Sequence, residues 1–147
     1  MNASDLVPKD AVVRACHELG IKDWTSAREI VVTPDEAKAI LGEVGGEAKL
    51  LDLDDFREGL QVELEHGSRY VEANITNNHP ILTGKIVLAH LKESLLYYKR
   101  LAVVELEGDL LKASRDGDAE RVRSLYERVI NARLALNGAE KRFLAAK

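Results

Sequence analysis

Four side chains at matching spacings are the residues of this chain best suited to chemistry. Glu63 and His66 lie three positions apart, and His90 and Glu93 repeat the pair in reverse order. Positions three apart share one side of an α-helix, so two antiparallel helices would bring two imidazoles and two carboxylates together. Such a donor set suits one divalent transition metal, which would be zinc, iron or manganese. A di-iron centre is not predicted, because the chain has only one forward Glu-x-x-His motif.

A polar structural network is the second interpretation of the same region. Glu63 has apolar neighbours, so its carboxylate is expected to be partly buried and to need a partner, which Lys85 or a histidine would supply. His66 precedes Gly67, where we expect the helix to end and its last carbonyls to favour a cation. The members of this network would be Glu63, His66, Lys85, His90 and Tyr98.

The remaining chemical motifs are incomplete. Thr83-Gly84-Lys85 resembles the end of a phosphate-binding loop, but the upstream glycine is missing, so Gly84 is interpreted as a point of close helix approach. Cys16 and His17 are adjacent and would point about 100° apart on a helix, which does not make a catalytic pair. No catalytic residue is therefore predicted, and the sequence favours a protein without enzymatic activity.

The elements that position these residues are predicted to be helices. The chain is 46% hydrophobic and 31% charged with only 5% aromatic residues, which is typical of helical proteins with aliphatic seams. Trp24 is expected to anchor the core, and residues 30–32 could form one short extended segment. Apolar spacing and capping residues predict helices over residues 8–19, 33–41, 52–66 and, from 81, for about thirty residues.

The C-terminal part of the chain predicts a long helical hairpin. Residues 115–118 interrupt the apolar pattern, and a final helix follows with a regular three-four alternation. Two long helices joined by a short turn fold back on each other, and self-association is the commonest use of such a coil. The expected interaction seam consists of Val122, Leu125, Val129, Leu136 and Phe143. The fold class is therefore all-α, with a helical domain over 1–101 and the continuation and return arm of the hairpin over 102–147.

Length, charge and cysteine content exclude several classes of protein. The chain has 147 residues, a formal net charge of −4 and one cysteine, Cys16. No apolar run is long enough to span a membrane, and no secretory signal is recognised. A single cysteine fits a reducing compartment, so a cytoplasmic location is expected. The basic C-terminal helix lacks interleaved aromatic residues, which argues against nucleic acid as a partner.

Several sequence blocks between residues 14 and 101 occur in a specific combination. They read HELGI at 17–21, FREGLQVELEHG at 56–67, LTGKIVLAHLKE at 82–93 and YYKRL at 97–101. In this combination the chain resembles a family of small bacterial and phage-encoded proteins of unknown function. The resemblance implies a role in a virion or in assembly, because family members also occur attached to phage head-associated proteins.

Two departures from this family pattern affect the predictions. The family runs almost directly from its tryptophan into the helix of Phe56, so residues 25–51 are interpreted as an insertion. The family also has acidic residues where this chain has Asn78 and His79, which weakens the case for a shared metal site. We therefore expect a non-enzymatic structural or interaction module that assembles through helices as an oligomer or phage-type particle component, with a metal-binding helical protein as the alternative.

Overall fold

The computed structural model describes residues 6–25, 31–45 and 51–146, and within these ranges the chain is all-α. Its α-helices are α1 (Lys9–Leu19), α2 (Pro34–Val44), α3 (Leu53–Arg69), α4 (Pro80–Glu93), α5 (Tyr97–Arg115) and α6 (Ala119–Ala145), with a 3-10 helix at Val71–Ala73. The predicted fold class is confirmed. Of the predicted extended segment over 30–32, Ile30 lies outside the described residues, and Val31 and Val32 belong to no helix or strand. No helix in the described ranges is long and apolar enough to cross a membrane.

The chain divides into two compact units, Met1–Leu95 and Leu96–Lys147. The sequence predicted one helix of about thirty residues from 81, but the helix ends at Glu93. Ser94 adopts an extended backbone with φ −152° and ψ 119°. Helical periodicity alone missed this break, because the apolar spacing of Leu91, Leu95 and Tyr98 continues across it.

The core of the first unit is built from one apolar face of each of the helices α1 to α4. Phe56, Leu60 and Leu64 form the buried stripe of α3. Trp24 is 1% exposed, which confirms its role as a core anchor. Helix α2 lies within the segment interpreted as an insertion, yet its Ile40 is fully buried in this core.

Helix α4 approaches α2 closely at Gly84, as the sequence predicted. A Cβ atom at this position would lie 2.7 Å from Cγ2 of Ile40 and 2.9 Å from Cγ1 of Val44. Both distances are shorter than ordinary carbon–carbon contacts of 3.5–4.0 Å. Only glycine therefore permits this spacing between the two helices.

The start of α2 is held by a capping box that also reaches the core. The side chain of Thr33 accepts a hydrogen bond from the Glu36 backbone N–H, and the Glu36 carboxylate accepts one from the Thr33 N–H at 2.8 Å. Lys22 lies 3.3 Å from the same carboxylate, and the Trp24 indole donates to it at 3.5 Å. Burial by itself raises the pKa of Glu36, but the Thr33 hydrogen bonds and Lys22 outweigh it and hold the pKa below its ordinary value.

The second unit is an antiparallel hairpin of α5 and α6, which confirms the predicted helical hairpin. The chain turns at Gly117, whose φ of +74° lies in the left-handed region. The Asp118 side chain accepts a hydrogen bond from the backbone N–H of Arg121 and caps α6. Ion pairs link the two helices along one side of the hairpin. They join Arg100 with Glu140 and Arg133 with Glu107.

Replacing Gly84 with alanine tests the close approach of α2 and α4. We expect Gly84→Ala to lower the free energy of unfolding by about 1–3 kcal/mol, because the new methyl group overlaps Ile40 and Val44. Urea denaturation measures this loss. Gly42→Ala is the matched control, since a Cβ there meets nothing within 4 Å, and it should stabilise by about 0.5–1 kcal/mol. Equal stability of Gly84→Ala and the wild type would contradict the contact.

Replacing Glu36 with glutamine tests the capping carboxylate through pH. The pKa of Glu36 is lowered in the folded state, so its contribution to stability is present above the unfolded-state pKa and is lost as pH falls through the folded-state value. We expect Glu36→Gln to cost about 1 kcal/mol at neutral pH and progressively less below about pH 4. Urea denaturation across pH, with the exposed Glu43→Gln as control, measures this. A pH-independent difference would rule the interpretation out.

Candidate functional site

A cleft of about 250 Å³ opens in the first unit at the C-terminal end of α3. Helix α3 contributes Glu63 and His66, and Tyr70 follows its last turn. The loop over residues 70–79 forms one wall, and Thr83 and Ile86 of α4 form another. Two of the predicted site residues, Glu63 and His66, therefore line the same cleft.

Gly67 has a different role from the predicted helix stop. Helix α3 continues through it to Arg69, and the side chains of Asn74 and Asn78 approach its backbone. The Asn74 amide donates to the Gly67 carbonyl at 3.1 Å and to Oδ1 of Asn78 at 2.9 Å. A Cβ at Gly67 would lie 2.6 Å from that Asn78 oxygen, so a side chain there would displace the loop. The prediction that Gly67 ends the helix is therefore wrong. Glycine is needed at this position because the loop lies where a side chain would otherwise be.

Hydrogen bonds from side chains order the cleft wall in place of regular structure. The loop is rich in asparagine, a residue that tolerates the left-handed region, and Asn77 and Asn78 have φ values of 48° and 62°. The Asn77 amide donates to the backbone carbonyl of Val7 at 2.9 Å, which ties the loop to the N-terminal segment. The hydroxyl of Thr83, which is 2% exposed, lies 3.4 Å from that of Thr76.

Glu63 and His90 come together from α3 and α4. Oε1 of Glu63 lies 3.8 Å from Nε2 of His90, and the two side chains are 17% and 32% exposed. This distance suits an ion pair when the imidazole is protonated and is longer than a hydrogen bond. The interhelical pairing that the sequence anticipated is therefore realised for one carboxylate and one histidine.

The other members of the two predicted sets are Lys85, Glu93 and Tyr98. Glu93 and Lys85 are exposed on α4, and neither is among the residues that line the cleft. Tyr98 is buried in the second unit, where its ring meets that of Tyr97 edge-on at 5.1 Å. Over residues 6–25, 31–45 and 51–146, no three His, Cys, Asp or Glu side chains are grouped so that they could hold a metal ion.

The predicted interaction seam lies largely inside the hairpin of the second unit. Leu125 and Val129 are 4% and 3% exposed, Val122 and Leu136 are half-buried, and Phe143 is exposed near the end of α6. Another set of apolar side chains in this unit is between 44% and 72% exposed. It consists of Val104, Leu111, Tyr126, Ile130 and Leu134. We call these five residues the apolar flank.

Over the described residues, the fold and site define an all-α protein in which α1 to α4 form a unit with a small cleft, and α5 and α6 form a hairpin with an exposed apolar flank. A family model described as protein of unknown function (DUF5661) matches residues 12–107, and the chain belongs to this family. The match covers most of the first unit, the cleft included, and the first half of α5. No match was found among curated proteins or among solved structures.

Replacing Asn74 with aspartate tests the cleft wall. The change removes the amide that donates to Gly67 and Asn78 and places a carboxylate against their oxygens, so we expect a loss of about 1–3 kcal/mol in the free energy of unfolding. Asn78→Asp is the matched control, because the Asn78 side chain only accepts in this pair and should change stability by less than about 0.5 kcal/mol. Urea denaturation compares the two. Equal effects would show that the direction of these hydrogen bonds is irrelevant.

Proposed function

We propose that this protein is a non-enzymatic interaction module that associates with a second copy of itself through its C-terminal hairpin. The observation that carries this proposal is the apolar flank, five large side chains that the hairpin leaves in solvent. Isolated exposed apolar residues are ordinary on protein surfaces, whereas a contiguous set is typical of an interaction site.

The five side chains share one side of the hairpin. Val104 and Leu111 follow Arg100 and Glu107 by four positions each, so they lie on the side of α5 that forms the ion pairs. On α6, Tyr126 and Ile130 precede Arg133 by seven and three positions and share its side. Leu134 lies one helical turn beyond Ile130 and continues the stripe.

Glycine at position 108 is consistent with a partner on this side. Gly108 lies four positions after Val104 and three before Leu111, and a Cβ there would meet nothing within 4 Å. Glycine within a helix costs about 1 kcal/mol relative to alanine, and packing within the described residues does not require it here. A second helix that passed over this position would approach the backbone closely.

A second copy is the occupant that the chemistry of the flank favours. Two hairpins packed side by side make a four-helix bundle, and a two-fold interface uses the same patch on both subunits. Each ion pair on this side contains both charge signs, so the face does not repel a copy of itself. Full burial of one large apolar side chain contributes about 1.5–3 kcal/mol. In a two-fold dimer each residue of the apolar flank is buried once on each subunit, so its contribution counts two times.

The setting of this assembly follows from the family resemblance. The resemblance is to bacterial and phage-encoded proteins, some attached to phage head-associated proteins, and it favours an oligomer or a phage-type particle as the proposed context. The metal-binding alternative has one supporting observation, the approach of Glu63 to His90 at 3.8 Å. Because stable metal sites use three or four protein ligands, this function is our second candidate.

Replacing Ile130 with lysine tests the dimer. Wild-type protein should sediment with twice the chain mass at micromolar concentrations, and Ile130→Lys should raise the dissociation constant at least about tenfold, because burying the ammonium group is unfavourable. Circular dichroism should show unchanged helix content, since Ile130 is exposed. The control is Ala135→Lys, which introduces the same charge at an exposed position on another side of α6 and should leave the dimer intact. Monomeric wild type at every concentration would refute the proposal, as would an unchanged dimer in Ile130→Lys.

A further inference from the structure

We infer that the cleft of the first unit binds a small organic cation, a primary alkylammonium ion. This site is in a different unit from the apolar flank, so the inference does not depend on the proposed self-association. Its basis is the combination of one carboxylate, a helix C-terminus and a small, partly apolar cleft.

The electrostatics of the cleft favour a positive charge. Among the described residues that line it, Glu63 is the one carboxylate, and none is lysine or arginine. Its side chain is only 17% exposed, so its attraction for a cation is screened less than that of a surface carboxylate. A carboxylate accepts several hydrogen bonds at once, and the neighbouring His90 at 3.8 Å does not exclude a further donor.

The end of α3 strengthens this preference. Glu63 and His66 belong to the last two turns of the helix, and Tyr70 is its C-terminal cap residue. The carbonyl groups at a helix C-terminus carry a partial negative charge that stabilises nearby cations. An anionic ligand would meet both the carboxylate and this helix end, so the cleft disfavours it.

The remaining walls select a small and partly apolar ligand. Ile75 and Ile86 supply aliphatic surface, and the rings of His66 and Tyr70 lie 6.5 Å apart, centre to centre. The face of the Tyr70 ring attracts a cation, and the aliphatic side chains suit a short alkyl chain. About 250 Å³ is less than most sites for drug-sized ligands, which indicates a ligand of few heavy atoms.

Hydrogen bonds within the chain hold the cleft wall against α3. Asn74 bonds both to Gly67 on α3 and to Asn78 at the far end of the loop, so the loop is fixed against the helix that carries Glu63. A preformed site loses less conformational entropy when it binds, which is necessary if a ligand with few contacts is to be retained.

A titration followed by two-dimensional NMR of the ¹⁵N-labelled full chain tests the inference. The probe is n-butylammonium chloride at constant ionic strength, and its matched controls are n-butanol and sodium butyrate. We expect n-butylammonium to bind in the millimolar range and to shift amide signals of the cleft residues, while the neutral and anionic analogues leave them unchanged.

Two variants on the same helix test whether the carboxylate of Glu63 binds the ammonium group. Glu63→Gln keeps the shape of the side chain and should weaken n-butylammonium binding at least about tenfold. Glu65→Gln removes an equal charge from an exposed residue outside the lining and should leave binding unchanged. Three outcomes would each overturn the inference. They are equal binding of n-butanol, an unchanged affinity for n-butylammonium in Glu63→Gln, and cleft signals of the wild type that do not shift at high concentrations of n-butylammonium. The wild-type comparison of the three probes stands even if Glu63→Gln does not fold.

Discussion

The arrangement of the first unit depends on the close approach of α4 to α2 at Gly84. With no Cβ at this position, the backbone of α4 packs directly against Ile40 and Val44. The adjacent Thr83 and the residues one and two turns later, Ile86 and His90, then face the other way, toward the loop and α3. One steric constraint therefore sets both the core contact and the position of α4 at the cleft.

A second glycine has a comparable role on the opposite side of the cleft. Gly67 lies inside α3, where glycine is less favourable than alanine, and this cost is offset in part by the hydrogen bond that the Asn74 amide donates to the Gly67 carbonyl. The loop over residues 70–79 thus gains its order from side chains, although it has little regular structure. A rigid wall beside Glu63 follows from this arrangement.

The hairpin shows how a predicted interaction seam can be used within the chain itself. Leu125 and Val129 repeat at the spacing of a coiled coil, which describes equally well a seam between two molecules and one between two helices of one molecule. In this structure they pack inside the hairpin. Tyr126 and Ile130, each one residue later in α6, are exposed on a different side of the helix. Spacing alone does not distinguish these cases, because it says which side of a helix is apolar but not what covers it.

The sequence by itself determined the local features of this protein. The Thr33-Pro34 start of α2, the apolar stripe of α3 and the turn at Gly117 each depend on residues within a few positions of one another. Only the tertiary structure decided which distant residues meet. Glu63 reaches His90 while Glu93 stays in solvent, and the helix predicted to continue breaks at Ser94. The reason is that spacing fixes the face of a helix on which a side chain lies, whereas distances between helices depend on crossing angle and register, which the packing of the whole unit sets.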